Sequence, residues 1–209
     1  MAAATIDYRI TSLTQLREMV GDPGTLVPKK LLRELDQLAA DFIRRAPYMV
    51  LATSDAEGNL DASPKGDAPG FVEIESPSSL LIRDRRGNKL AFTLQNLMVN
   101  PRIGLIFMVP GTGETLRVNG AAELTIDPEV LRRLAARGRD AQLAIRVSIR
   151  ECFFHCAKAA MRSQLWNPES WGERIKISWG QYLAEKMGAD ANFAAQVDEF
   201  VEQDYKTNL

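Results

Sequence analysis

The six residues Asp84-Arg85-Arg86-Gly87-Asn88-Lys89 gather two guanidiniums, an amide and an ammonium around a glycine. They lie between an apolar run at 79–83 that reads as a strand and a run at 90–99 that reads as a helix. A helix N-terminus presents unpaired N–H groups and a partial positive charge, so basic side chains at such a junction suit a phosphate. A second basic turn, Ser63-Pro64-Lys65-Gly66-Asp67, closes an earlier strand. Lys65 offers a cation and Ser63 a hydroxyl, while Pro64 lacks an N–H and predicts a bulge or a sheet edge. Together the two turns predict a site for a phosphorylated cofactor. The bland alternatives are a solvated turn for Arg85 and its neighbours, and a surface lysine beside Asp67 for Lys65.

The elements that would hold these turns follow from periodicity. Leu13, Leu16 and Val20 recur at helical spacing, and Leu31, Leu35, Leu38, Ala39 and Phe42 predict an amphipathic helix beginning near Pro28. From Tyr48 the pattern becomes strand-like. Runs at 48–53 and 60–63 flank the turn-forming cluster 54–59 and predict a hairpin. Further strands are expected at 71–75, 80–82, 103–109, 114–125 and 144–154, with helices at 89–99 and 127–136. Gly120 inside a long strand predicts a bulge or a sharp bend. The run Ile103-Gly-Leu-Ile-Phe-Met-Val109 is too uniformly apolar to face water, which predicts burial in a core or against a partner. After Cys156 the chain reads as helical to about Trp166, then again near 181–187 and 191–205. Short hairpins with bends favour a closed barrel over a doubly wound sheet. The expectation is an α+β chain, mainly β, forming one domain in all: a helical arm 1–45, a barrel core 46–156 and a helical segment 157–209.

Composition narrows the classes. The chain has 209 residues, 45% hydrophobic and 25% charged, as soluble globular proteins do. A net charge of −1 gives no support to a nucleic-acid binder. No apolar run approaches the length of a membrane span, and no secretory signal is visible, so a cytoplasmic protein is expected. Cys152, Cys156 and His155 cannot complete a four-ligand zinc site unaided, and no metal is expected. The two thiols read as buried and reduced. A Ser-His-Asp hydrolase would have to use His155, whose apolar neighbours favour a packed side chain.

The succession Ala62-Ser63-Pro64-Lys65-Gly66, Asp84 to Lys89, Asn96, Asn100-Pro101 and Glu114-Thr115-Leu116-Arg117-Val118-Asn119-Gly120-Ala121 resembles the pyridoxamine 5′-phosphate oxidase-like flavoproteins. The resemblance covers roughly 46–126. It implies a split β-barrel with helical N- and C-terminal arms, usually a homodimer, holding FMN in clefts at the subunit interface. Carried over by position, Ser63 and Lys65 lie along the flavin, with Lys65 polarising the ring. Asp84, Arg85, Asn88 and Lys89 form the phosphate junction, Thr115 falls where some members place a polar side chain toward the partner's flavin, and Arg117 is a neighbouring candidate. Lys158, Arg162, Ser163 and Trp166 are cleft or substrate candidates, and the loop between Trp166 and Trp171 either covers a flat ligand or is plain core. The implied activity is FMN-dependent hydride or electron transfer with a small-molecule substrate. The rivals are a non-catalytic flavin-binding or redox-responsive dimer, and a deazaflavin- or haem-binding split barrel. The chain departs from the pyridoxamine oxidases at Asp61-Ala62, where they carry an arginine, and in its acidic C-terminal helix, so vitamin B6 oxidation itself is not implied.

Overall fold

The computed structural model describes residues 8–84, 89–135 and 141–207. Arg85 and Asn88 of the first basic turn therefore lie outside the described residues. The chain forms two compact units, Met1–Asp84 with Phe92–Ala157, and Arg85–Ala91 with Lys158–Leu209.

The first unit is built on strands β1 (Tyr48–Ser54), β2 (Leu60–Gly66), β3 (Val72–Ser76), β4 (Ser79–Arg83), β5 (Arg102–Met108), β6 (Thr115–Thr125) and β7 (Ala144–His155). They form one antiparallel sheet in the order β2-β1-β5-β6-β7-β4-β3. The fold is α+β, as expected. The ladder does not close: β2 and β3 are edge strands at its two ends.

Alternation along each strand gives the sheet an inner and an outer face. Met49, Leu51, Leu105, Phe107, Leu116, Val118, Ile145 and Val147 line the inner face and are essentially inaccessible to solvent. Register carries two of these rows to the edge strand. Lys65 stands opposite Met49 and Phe107 opposite Met49 on its other side, while Ser63 stands opposite Leu51, itself opposite Leu105. The outer face carries Tyr48, Val50, Ile106 and Met108. β5 is thus buried on one face only, although every residue after Arg102 is apolar. Ile106, on the outer side, is 36% exposed.

Helices cover the core. In α2 (Gln37–Arg45), Ala39, Ala40 and Ile43 are buried, and the helix lies against β3, β6 and β7. It starts nine residues later than expected. Pro28–Lys30 is only a 3-10 turn, and Leu32 leaves helical geometry to exchange backbone hydrogen bonds with Cys152, at 2.9 and 2.8 Å. Asp36 then accepts from the Ala39 N–H at 2.8 Å and sets the true start. The helix α3 (Phe92–Val99) packs on β1, β2 and β6. It too starts late, because Lys89 and Ala91 have φ of 62° and 54°, which a right-handed helix cannot accommodate. Around this core, α1 (Leu13–Val20) has no buried residue, and Asp127 caps the short helix α4 (Pro128–Arg133).

Gly120 does mark a bulge. Asn119 pairs with Glu151 but Gly120 pairs with Ile149, leaving Arg150 without an opposite residue. A Cβ at Gly120 would come 2.2 Å from the Ser148 carbonyl oxygen, so no other residue fits. The extra residue shifts the phase of β7: Val147 and Ile149 point inward before it and Cys152 after it. Cys152 is buried, donates to the Glu34 carbonyl at 3.3 Å, and its thiol pKa is raised by burial. Cys156 is exposed, and so is His155, contrary to the packed positions expected of both. They follow the point where β7 runs out of core to cover them.

The second unit contains α5 (Lys158–Arg162), α6 (Trp179–Met187) and α7 (Ala191–Thr207). Ser178 caps α6 and donates to Asp198, which also accepts from the Gly180 N–H at 2.8 Å. Gly180 meets the α7 backbone so closely that a Cβ would lie 1.8 Å from the Ala194 carbonyl. Among the described residues no helix is long and apolar enough to cross a membrane.

Candidate functional site

Across the open side of the sheet, side chains of the edge strand β2 meet those of β4, the strand next to the other edge. Lys65, in β2, places Nζ 3.6 Å from the Asp84 carboxylate at the end of β4. Asp67, just after β2, pairs with Arg83, the last residue of β4. Two strand ends thus exchange partners reciprocally, basic to acidic and acidic to basic, across a seam with no backbone ladder.

The two pairs differ in environment. Arg83 and Asp67 are nearly buried, with side chains 13% and 10% exposed. Arg83 also donates to the Leu134 carbonyl at 3.4 Å, and among the described residues its buried Nε has no hydrogen-bond partner. Asp67 is further tied by its N–H to the Pro47 carbonyl at 3.0 Å. This pair is the permanent tie. Lys65 and Asp84 remain 22% and 26% exposed, so an anion approaching the seam can compete for the ammonium.

Local sequence explains why Lys65 sits there. The basic segment expected as a turn is strand: β2 continues through Pro64, Lys65 and Gly66 in unbroken register with β1. Pro64 is tolerated because β2 is an edge. No bulge is needed. Alternation then sends Asp61, Ser63 and Lys65 to the inner side, half-buried, and Ala62, Pro64 and Gly66 outward. Lys65 does not pair with Asp67, as the plainer reading had it, since that carboxylate is taken by Arg83.

The asparagines of the sequence pattern pin α3 beside this hairpin. Asn96 donates to the Thr53 hydroxyl at 3.1 Å and Asn100 to the Ser54 hydroxyl at 2.8 Å. Thr93 donates to Asp61 at 2.8 Å. Asp61 therefore fastens α3 to β2, an assignment that the sequence does not reveal because the two residues are distant in the chain.

Of the other expected site residues, Thr115 and Arg117 share the outer face of β6, and the Arg117 guanidinium stacks 5.2 Å from the Phe153 ring centre. Lys89 is exposed and stands before α3, outside its first turn. In the second unit Lys158 and Arg162 are exposed, Trp166 is half-buried, and the Ser163 hydroxyl donates to the Ala159 carbonyl at 3.0 Å. The Trp171 indole donates to the Leu165 carbonyl at 3.1 Å, which fixes the loop following α5.

The seam's donor set fits a flavin. It offers an ammonium, a hydroxyl two residues away on the same side, and a strand edge whose backbone groups are not used by a neighbouring strand. Those are the groups that recognise the polar edge of a planar heterocycle.

Comparison with known structures and families completes the description. HupZ of Group A Streptococcus superposes with a TM-score of 0.48 at 17% identity, over 57% of this chain and 93% of that one. A putative pyridoxamine 5′-phosphate oxidase from Lactobacillus delbrueckii gives 0.46 at 22% identity, over 58% and 95%. An FMN-binding protein from Syntrophomonas wolfei gives 0.40 at 12% identity, over 57% and 89%. No curated protein matches in sequence. A family model described as pyridoxamine 5′-phosphate oxidase matches residues 35–156, from the approach to α2 to the end of β7. That span exceeds half of the chain and contains every strand of the sheet, so the chain belongs to the pyridoxamine 5′-phosphate oxidase family.

Proposed function

We propose that the protein binds FMN at the seam and acts as an FMN-dependent oxidoreductase on a small-molecule substrate. The observation that carries this reading is the position of Lys65 in a chain of this family: a partly exposed ammonium on a free strand edge, held by one carboxylate. A bound flavin would supply the hydride or electron transfer, which needs no acid or base from the chain. The part of Lys65 is to stabilise negative charge on the ring's polar edge, and that of Asp84 is to hold the ammonium in place between turnovers. Ser63 donates from the same side of β2. The phosphate assignments to Arg85, Asn88 and Lys89 rest on the sequence pattern alone, as do the substrate-side assignments to Lys158, Arg162, Ser163 and Trp166.

A homodimer is part of the same reading. Tyr48 and Ile106 leave apolar surface on the outer face, 41% and 36% exposed, beside Val50 and Met108. Thr115 and Arg117 share that face and would meet the partner's flavin. Light scattering checks this: a dimer is expected, and a monomer at working concentration removes the interface.

The deciding experiment is the absorption spectrum of the purified protein with the mass of the small molecule released on denaturation. FMN is expected. A colourless protein that fails to take up added FMN overturns the reading. Turnover is tested by reducing the bound flavin with reduced nicotinamides and following reoxidation by oxygen or an added acceptor. Failure with every donor leaves a binding protein and removes the oxidoreductase assignment.

A further inference from the structure

The bulge at Gly120 shapes a concavity on the outer face, at the far end of β1 from Tyr48. It is an open hollow of about 430 Å³, within the range of small-molecule sites. Its floor exists because the strands crossing it carry little side chain. Ala52 of β1 stands opposite Gly104 of β5, and Gly104 stands opposite Asn119 of β6. A Cβ at Gly104 would already approach the Asn119 side-chain oxygen to 3.3 Å.

The lining combines charged and apolar side chains. Arg102 opens β5 and Arg150 is the residue that the bulge leaves without a partner, and both line the cavity. The one lining carboxylate, Glu151, accepts a hydrogen bond from the Asn119 amide at 2.8 Å. Among the described residues neither arginine forms an ion pair. Leu60, which also lines the cavity, is 86% exposed, a side chain with nothing apolar over it. The Ser54 hydroxyl completes the lining.

The geometry points to a binding site for a small organic anion, whose phosphate or carboxylate group lies between Arg102 and Arg150 and whose apolar part lies on Leu60, Ala52 and Gly104. Guanidiniums favour these oxyanions because their planar fork matches two acceptor oxygens. The bulge serves the site directly: a regular strand would turn Arg150 or Glu151 inward, and here both residues face outward. Within one protomer the site is separate from the seam, and it lies on the face that the homodimer reading turns toward the partner. Lys65 pairs with Met49, five residues along β1 from Ser54, or about 16 Å at strand spacing, and it points to the other face.

Isothermal titration calorimetry on the full chain tests this, with phenyl phosphate in one arm and benzoate in the other. Saturable binding at one molecule per chain is expected for at least one of them. Tighter binding of phenyl phosphate assigns a phosphate ester, and the reverse assigns a carboxylate. In the doubly substituted R102Q/R150Q chain the affinity should fall at least about tenfold. Ala52→Leu, which fills the floor from an exposed position and keeps both charges, should weaken binding likewise. Absence of saturable binding in both arms overturns the proposal, as does an affinity that neither variant changes. Unchanged thermal unfolding of each variant excludes a folding defect, and flavin content read on the same samples reports separately on the seam.

Discussion

The sheet is irregular in two places, and the two irregularities are held by different forces. In the wall, where β6 meets β7, the extra residue Arg150 is absorbed by a continuous backbone ladder on both sides. At the seam, where β2 faces β4, the side chains of Lys65, Asp67, Arg83 and Asp84 span the gap. Backbone ladders cannot move without breaking several hydrogen bonds together. Ion pairs can exchange a protein partner for a ligand one at a time. On the proposed flavin reading, a sheet that admits a flat, charged molecule is better left open along a line of side chains than along a strand.

That contrast is broken most severely at Gly120. Gly120→Val forces a side chain into the Ser148 carbonyl and should cost about 4 kcal/mol or more, enough to abolish cooperative folding of a marginally stable chain. Thermal unfolding followed by circular dichroism measures it. A variant that unfolds like the parent would mean that the wall tolerates what the close approach forbids.

The permanent tie comes next. Arg83→Met takes the guanidinium away from the nearly buried Asp67, and should destabilise by about 3 kcal/mol. Replacing both partners, as R83M with D67L, should recover much of this loss, because an apolar pair of similar size leaves no charge without a partner. Chemical denaturation of the single and double variants tests the point. If the double variant is no better than the single one, the tie does more than neutralise a buried carboxylate.

Much of this architecture is legible in the sequence, and what is hidden has a physical reason. The strand order of apolar runs, the helix following Asp127-Pro128 and the bulge at Gly120 follow from local signals: alternation, caps and a residue without a side chain. The starts of α2 and α3 do not. At Leu32 a long-range backbone bridge to Cys152 overrides a helical pattern, and at Lys89 and Ala91 positive φ angles break one. Lys65 is recognisable as a cation at a strand end, but not its partner. Choosing Asp84 over Asp67 requires knowing that β4 returns beside β2. The residues of the outer concavity are equally silent, since Arg102 and Arg150 come to line one hollow only after three strands have paired.

At the exchangeable side of the seam the two readouts should separate. Lys65→Met removes a pair that is about a quarter exposed, so stability should change by no more than about 1 kcal/mol. Flavin retention after gel filtration should fall sharply. Retained flavin with lost stability would invert the roles assigned to the two pairs, making Lys65 a tie and not a ligand contact.

The smallest effect is expected at the opposite edge of the sheet, which is fastened and carries no site. Glu75 on β3 accepts from Arg146 of β7 at 3.0 and 3.2 Å and from the Ser79 hydroxyl at 2.8 Å. These hydrogen bonds, that of Arg146 foremost, hold its carboxyl below the ordinary glutamate range. A carboxyl depressed in the folded state contributes stability that is complete above its unfolded pKa and is lost as pH falls through the folded one. Glu75→Gln should therefore lower stability slightly at neutral pH, within about 1 kcal/mol, because the pair remains partly solvated. The difference between parent and variant should shrink as the solution is acidified through and below the glutamate range. Denaturation curves at neutral and acid pH measure that convergence. A gap that persists in acid would place the fastening in the packing of β3 on β4, and not in charge.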